Sequence, residues 1–392
     1  MNEVIREDYL KKLDDFRDDT RFVKIITGVR RCGKSTLLHQ FRDVLIESGV
    51  SAENIITINF ESLNFEDILD YRHLYDYIVG RIGDTRNYLL LDEIQRVDGW
   101  EKAINSLMVD CDVDIYITGS NAYLLSSELS TYLSGRYVEI KIFPFSFKEY
   151  IKFYKFDDVE TALNNYIRFG GFPLIDPSDS DEKNQSILLG IYSTIVYKDI
   201  IQRNSIRDGA LLENIVRFVL SNSGNQTTPL SIANYLNENS KTIDNYLKML
   251  EESFIVYKCE RYDLKGKKLL KTAAKYYAVD TGLKNALINF NDEDLGRNIE
   301  NIVYLELCRR GYNVSVGKYG DYEVDFTAKK GSEIKYYQVT TSMLPEDVKN
   351  RELRSLNSLK DNYEKIIISL DKIRQNSYDG IRSQYLIDFL LE

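Results

Sequence analysis

Histidine is nearly absent. His39 and His73 are the only two in 392 residues. That excludes a metal centre built from three histidines and leaves little room for a histidine-based catalytic triad. Cysteine is scarce as well: Cys32, Cys111, Cys259 and Cys308 stand far apart, with no C-x-x-C pair. This argues against a disulfide framework or a zinc knuckle and fits a reducing cytosol. No run of about twenty apolar residues occurs, so no membrane contact through a spanning helix is expected. The charged start, Met1-Asn2-Glu3-Val4-Ile5-Arg6-Glu7-Asp8, has no secretory character, and a cytoplasmic location is expected. Positive charge is in deficit: 51 Lys and Arg face 61 Asp and Glu, a formal net charge of −10. A protein that coats nucleic acid along its whole surface is excluded, whereas a local basic face is not.

Apolar residues make up 43% of the chain and aromatics 12%, enough for packed cores and against global disorder. The length suggests two or three domains. One stretch organises them. Gly28-Val29-Arg30-Arg31-Cys32-Gly33-Lys34-Ser35-Thr36 fills every fixed position of G-x-x-x-x-G-K-S/T. The apolar, β-rich run Phe22–Thr27 precedes it, and Leu37, Leu38, Phe41 and Leu45 follow at helical spacing. Strand, glycine loop and helix is the order a phosphate cradle needs. Glycine lets backbone N–H groups turn inward, and the helix N-terminus adds its dipole. In such a cradle Lys34 reaches the β- and γ-phosphates of ATP and Ser35 ligates Mg²⁺. A chance glycine turn is the competing explanation, and the flanking pattern argues against it.

Tyr88-Leu89-Leu90-Leu91-Asp92-Glu93 reads as a buried strand ending in two acids. Beside a phosphate loop, Asp92 is placed to hold Mg²⁺ and Glu93 to polarise the attacking water as general base. Asp114–Asn121 is a further strand ending in polar residues. At the carboxyl end of a parallel sheet Ser120 or Asn121 would feel the γ-phosphate or orient the water, or else form an ordinary polar turn. Arg136, before the strand Val138–Ile142, would neutralise transition-state charge from its own subunit or a neighbouring one, or else be a solvated arginine.

These segments, read together as GVRRCGKSTLL, LLLDEIQRVDGWEKAI, ITGSNAYLL, LSGRYVEIKIFPFSFKEY and RFGGFP (Arg168 to Pro173), resemble the bacterial and archaeal AAA-type ATP-binding proteins that carry a C-terminal domain of unknown function. The resemblance runs over residues 1–392. It implies an α/β core of five parallel strands, Asp92 and Glu93 as the Walker B pair, a sensor at Ser120-Asn121, and hydrolysis of ATP. It gives the GGFP segment no role beyond a tight turn.

The expected organisation is an AAA-like P-loop core over 1–150, a helical lid or linker over 151–207, a winged helix over 208–290, and an α+β domain over 291–392 that is restriction-endonuclease-like. In the winged-helix segment, Ser240 is the expected N-cap of a helix to Glu251, with Ile243, Tyr246, Leu247 and Leu250 on its apolar face. Lys241, Thr242, Asn245 and Lys248 point elsewhere. Lys258, Arg261, Lys265, Lys267, Lys268, Lys271 and Lys275 then stand against only Glu260 and Asp263. That surplus reads as a double-stranded DNA footprint, with Lys241, Lys267 and Lys268 as contacts, or as the solvated face of a protein-binding module. In the last segment, a helix with Glu300, a strand with Asp325 and a strand with Gln338 resemble the PD-(D/E)XK nuclease core, which implies that these three face a metal. Thr340 stands where that core keeps a lysine, so a binding role without cleavage is expected. Two alternatives stay open: a nucleotide-switched protein scaffold without turnover, and an ATP-driven metal-dependent nuclease. A homo-oligomer is compatible with Arg136 acting in trans.

Overall fold

The strand Val23–Thr27 (β1) is buried at all five positions, as its β-branched run requires when helices cover both faces. The computed structural model describes residues 4–120, 133, 135–206 and 208–392, apart from the side chains of Lys271 and Thr272. β1 lies in a five-stranded parallel sheet with Ile55–Asn59 (β2), Asn87–Asp92 (β3), Val113–Gly119 (β4) and Tyr137–Lys141 (β5), in the order β2-β3-β4-β1-β5. Helices Glu7–Asp14 (α1), Lys34–Glu47 (α2), Tyr71–Val79 (α3) and Trp100–Asp110 (α4) belong to the same unit, which comprises Glu3–Phe143 and Glu252–Phe254. One core joins Leu89 and Leu91 of β3 and Ile115 and Ile117 of β4 to Leu74 and Ile78 of α3 and Ile104 and Leu107 of α4.

Two charges are buried at the amino edge of this sheet. Lys24 on β1 pairs with Asp114 on β4, both fully enclosed. Lys24 Nζ also donates to Asp19 O at 2.7 Å, and Asp114 Oδ2 accepts from Asp18 N–H and the Tyr116 hydroxyl, each at 2.9 Å. A buried pair persists where its remaining valences are filled, as here.

The second unit comprises Pro144–Glu251 and Ile255–Glu392. The lid, winged-helix and C-terminal segments delimited in the sequence fall almost wholly within it. Helices Phe147–Tyr154 (α5), Val159–Phe169 (α6) and Asp181–Thr194 (α7) come first, the last running on as π-helix over Ile195–Ile201. Ser146 and Glu149 form a capping box at the start of α5. Gly209–Ser221 (α8), the two-residue strand Gln226–Thr227 (β6), Pro229–Leu236 (α9), Ser240–Glu252 (α10) and the hairpin Val256–Asp263 (β7) and Lys268–Ala278 (β8) follow. Asn239, not Ser240, caps α10: its Oδ1 accepts from Lys241 N–H at 2.8 Å, and Ser240 is already helical. Ile243, Leu247 and Leu250 are buried as the periodicity demands.

Thr281–Ile288 (α11) and Leu295–Arg309 (α12) lead into Asn313–Tyr319 (β9), Tyr322–Lys330 (β10) and Glu333–Val339 (β11). Glu346–Asn357 (α13), Glu364–Ser369 (β12), Ser377–Tyr378 (β13), Ile381–Tyr385 (β14) and Leu386–Leu391 (α14) complete the chain. One nine-stranded sheet, β13-β14-β12-β11-β10-β9-β7-β8-β6, runs through the last two expected segments. Its seam is the parallel pairing of β7 with β9 through Arg261–Asp263 and Val316–Lys318.

The GGFP turn has a physical role here. Gly170 has φ +75°, and a Cβ on it would lie 1.9 Å from Asp280 Oδ1. A Cβ on Gly171 would lie 2.4 Å from Phe145 O. The bare turn lets the buried Asp280 carboxylate accept from Gly171 N–H at 2.7 Å while it caps α11 through Leu283 N–H at 3.0 Å. Thr281 and Asn285 add bonds to the carbonyls of Tyr166, Ile167 and Arg168. Burial pushes the Asp280 carboxyl up to about 6, against the pull of those N–H donors and of Arg309.

Candidate nucleotide-binding site

The loop between β1 and α2 is built from unusual backbone. Gly28 has φ +152°, Arg31 φ +69° and Gly33 φ +99°. A Cβ on Gly28 would meet Ile142 O at 2.3 Å, so the first glycine is fixed by packing as much as by torsion. Gly33 is the N-cap of α2, and Lys34, Ser35 and Thr36 open that helix. Val29 and Cys32 are buried, and burial raises the Cys32 thiol, so it is inert filler beneath the loop. Arg31 and Thr36 are exposed and Ser35 is half-buried. Lys34 is 5% exposed, and its ammonium donates to Gly28 O at 3.0 Å and Val29 O at 3.2 Å. The lysine is thus curled over its own loop, on the bonds that a phosphate would replace.

The strand registers bring the acids to the same edge. Thr27 pairs with Gly119, Leu91 with Ile117, and Asn59 with Asp92. The ends of β1, β3 and β4 therefore line one crevice, as ligands of open parallel sheets require. Asp92 and Glu93 are 3% and 7% exposed. Thr118 ties them together: its hydroxyl donates to Asp92 Oδ1 and accepts from Glu93 N–H at 2.9 Å. Glu93 sits at φ +56°, a left-handed conformation that a non-glycine residue adopts at a cost. The Gln95 side-chain amide donates to its carboxylate. Burial raises the Glu93 carboxyl, while Lys34 and Arg30 pull it back. A carboxyl moved toward neutral pH suits a general base. Arg30 reaches Ser120 Oγ at 3.4 Å and lies 3.7 Å from Glu61.

Lys34, Ser35, Asp92, Glu93 and Ser120 thus gather at one edge. Asn121 lies outside the described residues. Arg136 does not join them within the chain. It precedes β5, its carbonyl accepts from Val23 N–H, and its guanidinium donates to Asn105 Oδ1 at 3.2 Å. That is the amino edge of the sheet, a five-residue strand or roughly 16 Å away.

Two contributors escaped the sequence. Thr118 looks like strand interior. Arg6, 2% exposed, donates to Cys32 O at 3.1 Å and Phe143 O at 3.0 Å and stacks on the Tyr9 ring at 4.5 Å. It holds the loop from below across a long gap in sequence, which no local pattern signals.

In the second unit, Lys241, Lys267 and Lys268 are exposed as expected. Lys275 and Arg261 are not part of a basic face. Lys275 lies 3.0 Å from Glu300, and Arg261 lies 3.7 Å from Glu323. Local counting of lysines missed acids that arrive later in the chain. Gln338 does not face a metal position either. Its Oε1 accepts from Asp325 N–H at 3.2 Å and its amide donates to Glu352 at 2.7 Å. Thr340 is buried, and its hydroxyl donates to Ser342 O at 3.4 Å.

Residues 20–151 match the family model of an AAA domain, and residues 160–294 match a domain of unknown function, DUF8612. An uncharacterized protein of Haemophilus influenzae is 42% identical over 400 residues, covering 99% of each chain. An uncharacterized protein of Methanocaldococcus jannaschii is 34% identical over 378 residues, 90% of this chain and 80% of the relative. Among solved structures, the Aeropyrum pernix Orc1 protein in complex with DNA aligns over 73% of this chain and 92% of its own, at 14% identity and a TM-score of 0.34. A likeness that distant carries no conclusion.

Proposed function

This chain belongs to the family of AAA-domain proteins that includes those Haemophilus influenzae and Methanocaldococcus jannaschii relatives, and from that premise we propose that it hydrolyses ATP with Mg²⁺ and couples nucleotide state to nucleic-acid binding by its second unit. Binding of ATP by its P-loop is what an AAA domain brings. The observation that carries hydrolysis is the Thr118 link, which fixes Asp92 and the backbone of Glu93 at the mouth of the phosphate loop.

Bound Mg²⁺ would supply charge neutralisation between the phosphates. The residues present fit it: a hydroxyl at Ser35 and a carboxylate at Asp92, the hard oxygen donors that Mg²⁺ takes. Lys34 leaves Gly28 O and Val29 O and turns its ammonium to the phosphate oxygens. Backbone N–H groups from Val29 to Ser35 bind the same anion. Glu93 holds a water and accepts its proton, its basicity raised by burial. Gln95 keeps that carboxylate in place meanwhile.

The nucleic-acid side rests on Lys241 at the start of α10 and on Lys267 and Lys268 at the β7–β8 turn, all exposed. In chain order, α8, β6, α9, α10 and the β7–β8 hairpin follow the plan of a winged helix, with β6 paired to β8.

The test is ATP turnover by the purified protein with Mg²⁺, with and without double-stranded DNA, beside Lys34→Ala and Glu93→Gln. Turnover stimulated by DNA and abolished by both substitutions is expected. Tight ATP binding without turnover in either condition would replace this reading with a nucleotide-switched scaffold. DNA affinity unchanged in a Lys267→Ala, Lys268→Ala double variant would remove the nucleic-acid assignment.

A further inference from the structure

Two of the three residues expected to face a metal, Glu300 and Asp325, together with Glu323 surround a cation that the chain itself provides. Glu323 and Asp325 are two apart on β10 and so share a face; Lys275 and Tyr277 do the same on β8. Glu300 projects from α12, whose neighbour Asn301 is clamped to β8 by bonds to Ala278 N–H at 2.8 Å and Ala278 O at 2.9 Å. The Lys275 ammonium lies 3.0 Å from Glu300 Oε1, 3.2 Å from Glu323 Oε1 and 3.6 Å from Asp325 Oδ1. One oxygen of each carboxylate converges on it.

Several of the outer valences are held by other groups. Asp325 Oδ2 accepts from Val339 N–H at 2.9 Å. Glu323 Oε2 takes the Gln226 amide and faces Arg261 at 3.7 Å. On the inner side, the Tyr277 hydroxyl donates at 2.6 Å to Glu300 Oε1, the same oxygen that faces Lys275. Gln338, the third residue implied to face a metal, is spent on the Asp325 backbone and Glu352. Among the described residues no group of three or more His, Cys, Asp or Glu is arranged to hold a metal ion. The Lys275 side chain is 6% exposed, so its charge has no other outlet.

We propose that Lys275 is the resident cation of this centre: its ammonium fills the point where Glu300, Glu323 and Asp325 converge, so the native sheet works without a metal and admits a divalent cation only when Lys275 is removed. Three carboxylates stand against two cations, Lys275 and Arg261. Loss of the lysine leaves these three carboxyl groups around the point that its ammonium filled, short of one positive charge. A hard divalent cation that prefers oxygen donors is the species that repairs it. The arrangement also explains why Thr340 is tolerated: the ammonium comes from β8, on the far side of the sheet seam, and it serves as a structural ion. Its position does not depend on whether the first unit hydrolyses ATP.

The probe is Mn²⁺ alone, titrated without nucleotide at up to about 1 mM into full-length protein and followed by electron paramagnetic resonance. An Asp92→Asn background silences the phosphate-loop site. The native centre should take up no Mn²⁺. Lys275→Ala should take up one equivalent, show a thermal midpoint that rises with Mn²⁺, and lose both effects on adding Glu300→Gln. If Lys275→Ala does not fold in chelator, refolding with Mn²⁺ should restore it. Mn²⁺ uptake by the Lys275-containing protein that Glu300→Gln abolishes would overturn the proposal. So would a folded Lys275→Ala that takes up none, or a Lys275→Ala that Mn²⁺ fails to refold.

Discussion

Replacing Arg6 by alanine should loosen the phosphate loop from beneath. Its guanidinium donates to one carbonyl inside the loop, Cys32 O, and to one beyond β5, Phe143 O. Both bonds are buried and charge-assisted, worth about 1.5–3 kcal/mol each, and their loss strands two carbonyls. The stacking on Tyr9 adds about 1–2 kcal/mol in a site this dry. Allowing for overlap between these effects, Arg6→Ala should cost about 4 kcal/mol. The first unit holds the chain's only tryptophan, Trp100, in its core. Its fluorescence therefore reports urea unfolding of that unit specifically. Arg6→Lys should fall between native and alanine, because one ammonium lacks the planar fork that serves two carbonyls. ATP affinity should weaken by about tenfold or more in Arg6→Ala, since 1.4 kcal/mol of lost preorganisation suffices for that. A variant within about 0.5 kcal/mol of native, with unchanged ATP affinity, would refute the assignment of Arg6 as the support of the loop.

Thr118→Val keeps the strand shape but removes the hydroxyl between Asp92 and Glu93; turnover should fall by about 10²-fold while ATP binding persists, as measured by steady-state hydrolysis and calorimetry. Gly170→Ala places a methyl against the Asp280 carboxylate at φ +75° and should prevent stable folding of the second unit, visible as protease sensitivity, whereas the same change at exposed Gly190, with open space around it, should be benign. Asp280 sets a pH dependence. Its folded value of about 6 lies above the ordinary 3.8, so the folded state holds the extra proton between these limits. Stability should therefore fall by about 3 kcal/mol as pH rises from about 4 to about 6, and Asp280→Asn should flatten that part of a denaturation series; an unchanged slope in the variant would rule Asp280 out as its source.

The nucleotide site was legible where chemistry is local. The phosphate loop is a contiguous run with a strand before and a helix after it. The acids Asp92 and Glu93 directly follow the apolar run Tyr88–Leu91. Much of the rest depends on residues distant in sequence. Thr118 alternates with apolar neighbours and differs from them only by what β3 brings beside it. Arg6 acts across 137 residues to Phe143. Lys275 and Arg261 count as a basic surface until β10 and α12 supply carboxylates. Arg136 stands one residue before β5, and only the parallel pairing of β5 with β1 reveals that it lies at the wrong end of the sheet. The sequence pattern marked strands β10 and β11 and helix α12, yet gave no hint that β7 pairs with β9 and merges two segments into one sheet.

The bare turn at Gly170-Gly171 has a consequence for how the chain is made. Its N–H partner, Asp280, lies 109 residues further on. A nascent chain leaving the ribosome as far as α7 exposes a turn whose donor, and the Tyr166, Ile167 and Arg168 carbonyls beside it, await groups not yet synthesised. Helices α5 to α7 can form early, but they cannot be locked in place until α11 emerges. Co-translational folding should thus proceed in two bursts, one when β5 is released and another only after α11 has cleared the tunnel, and a chaperone would find its longest opportunity in the interval between them.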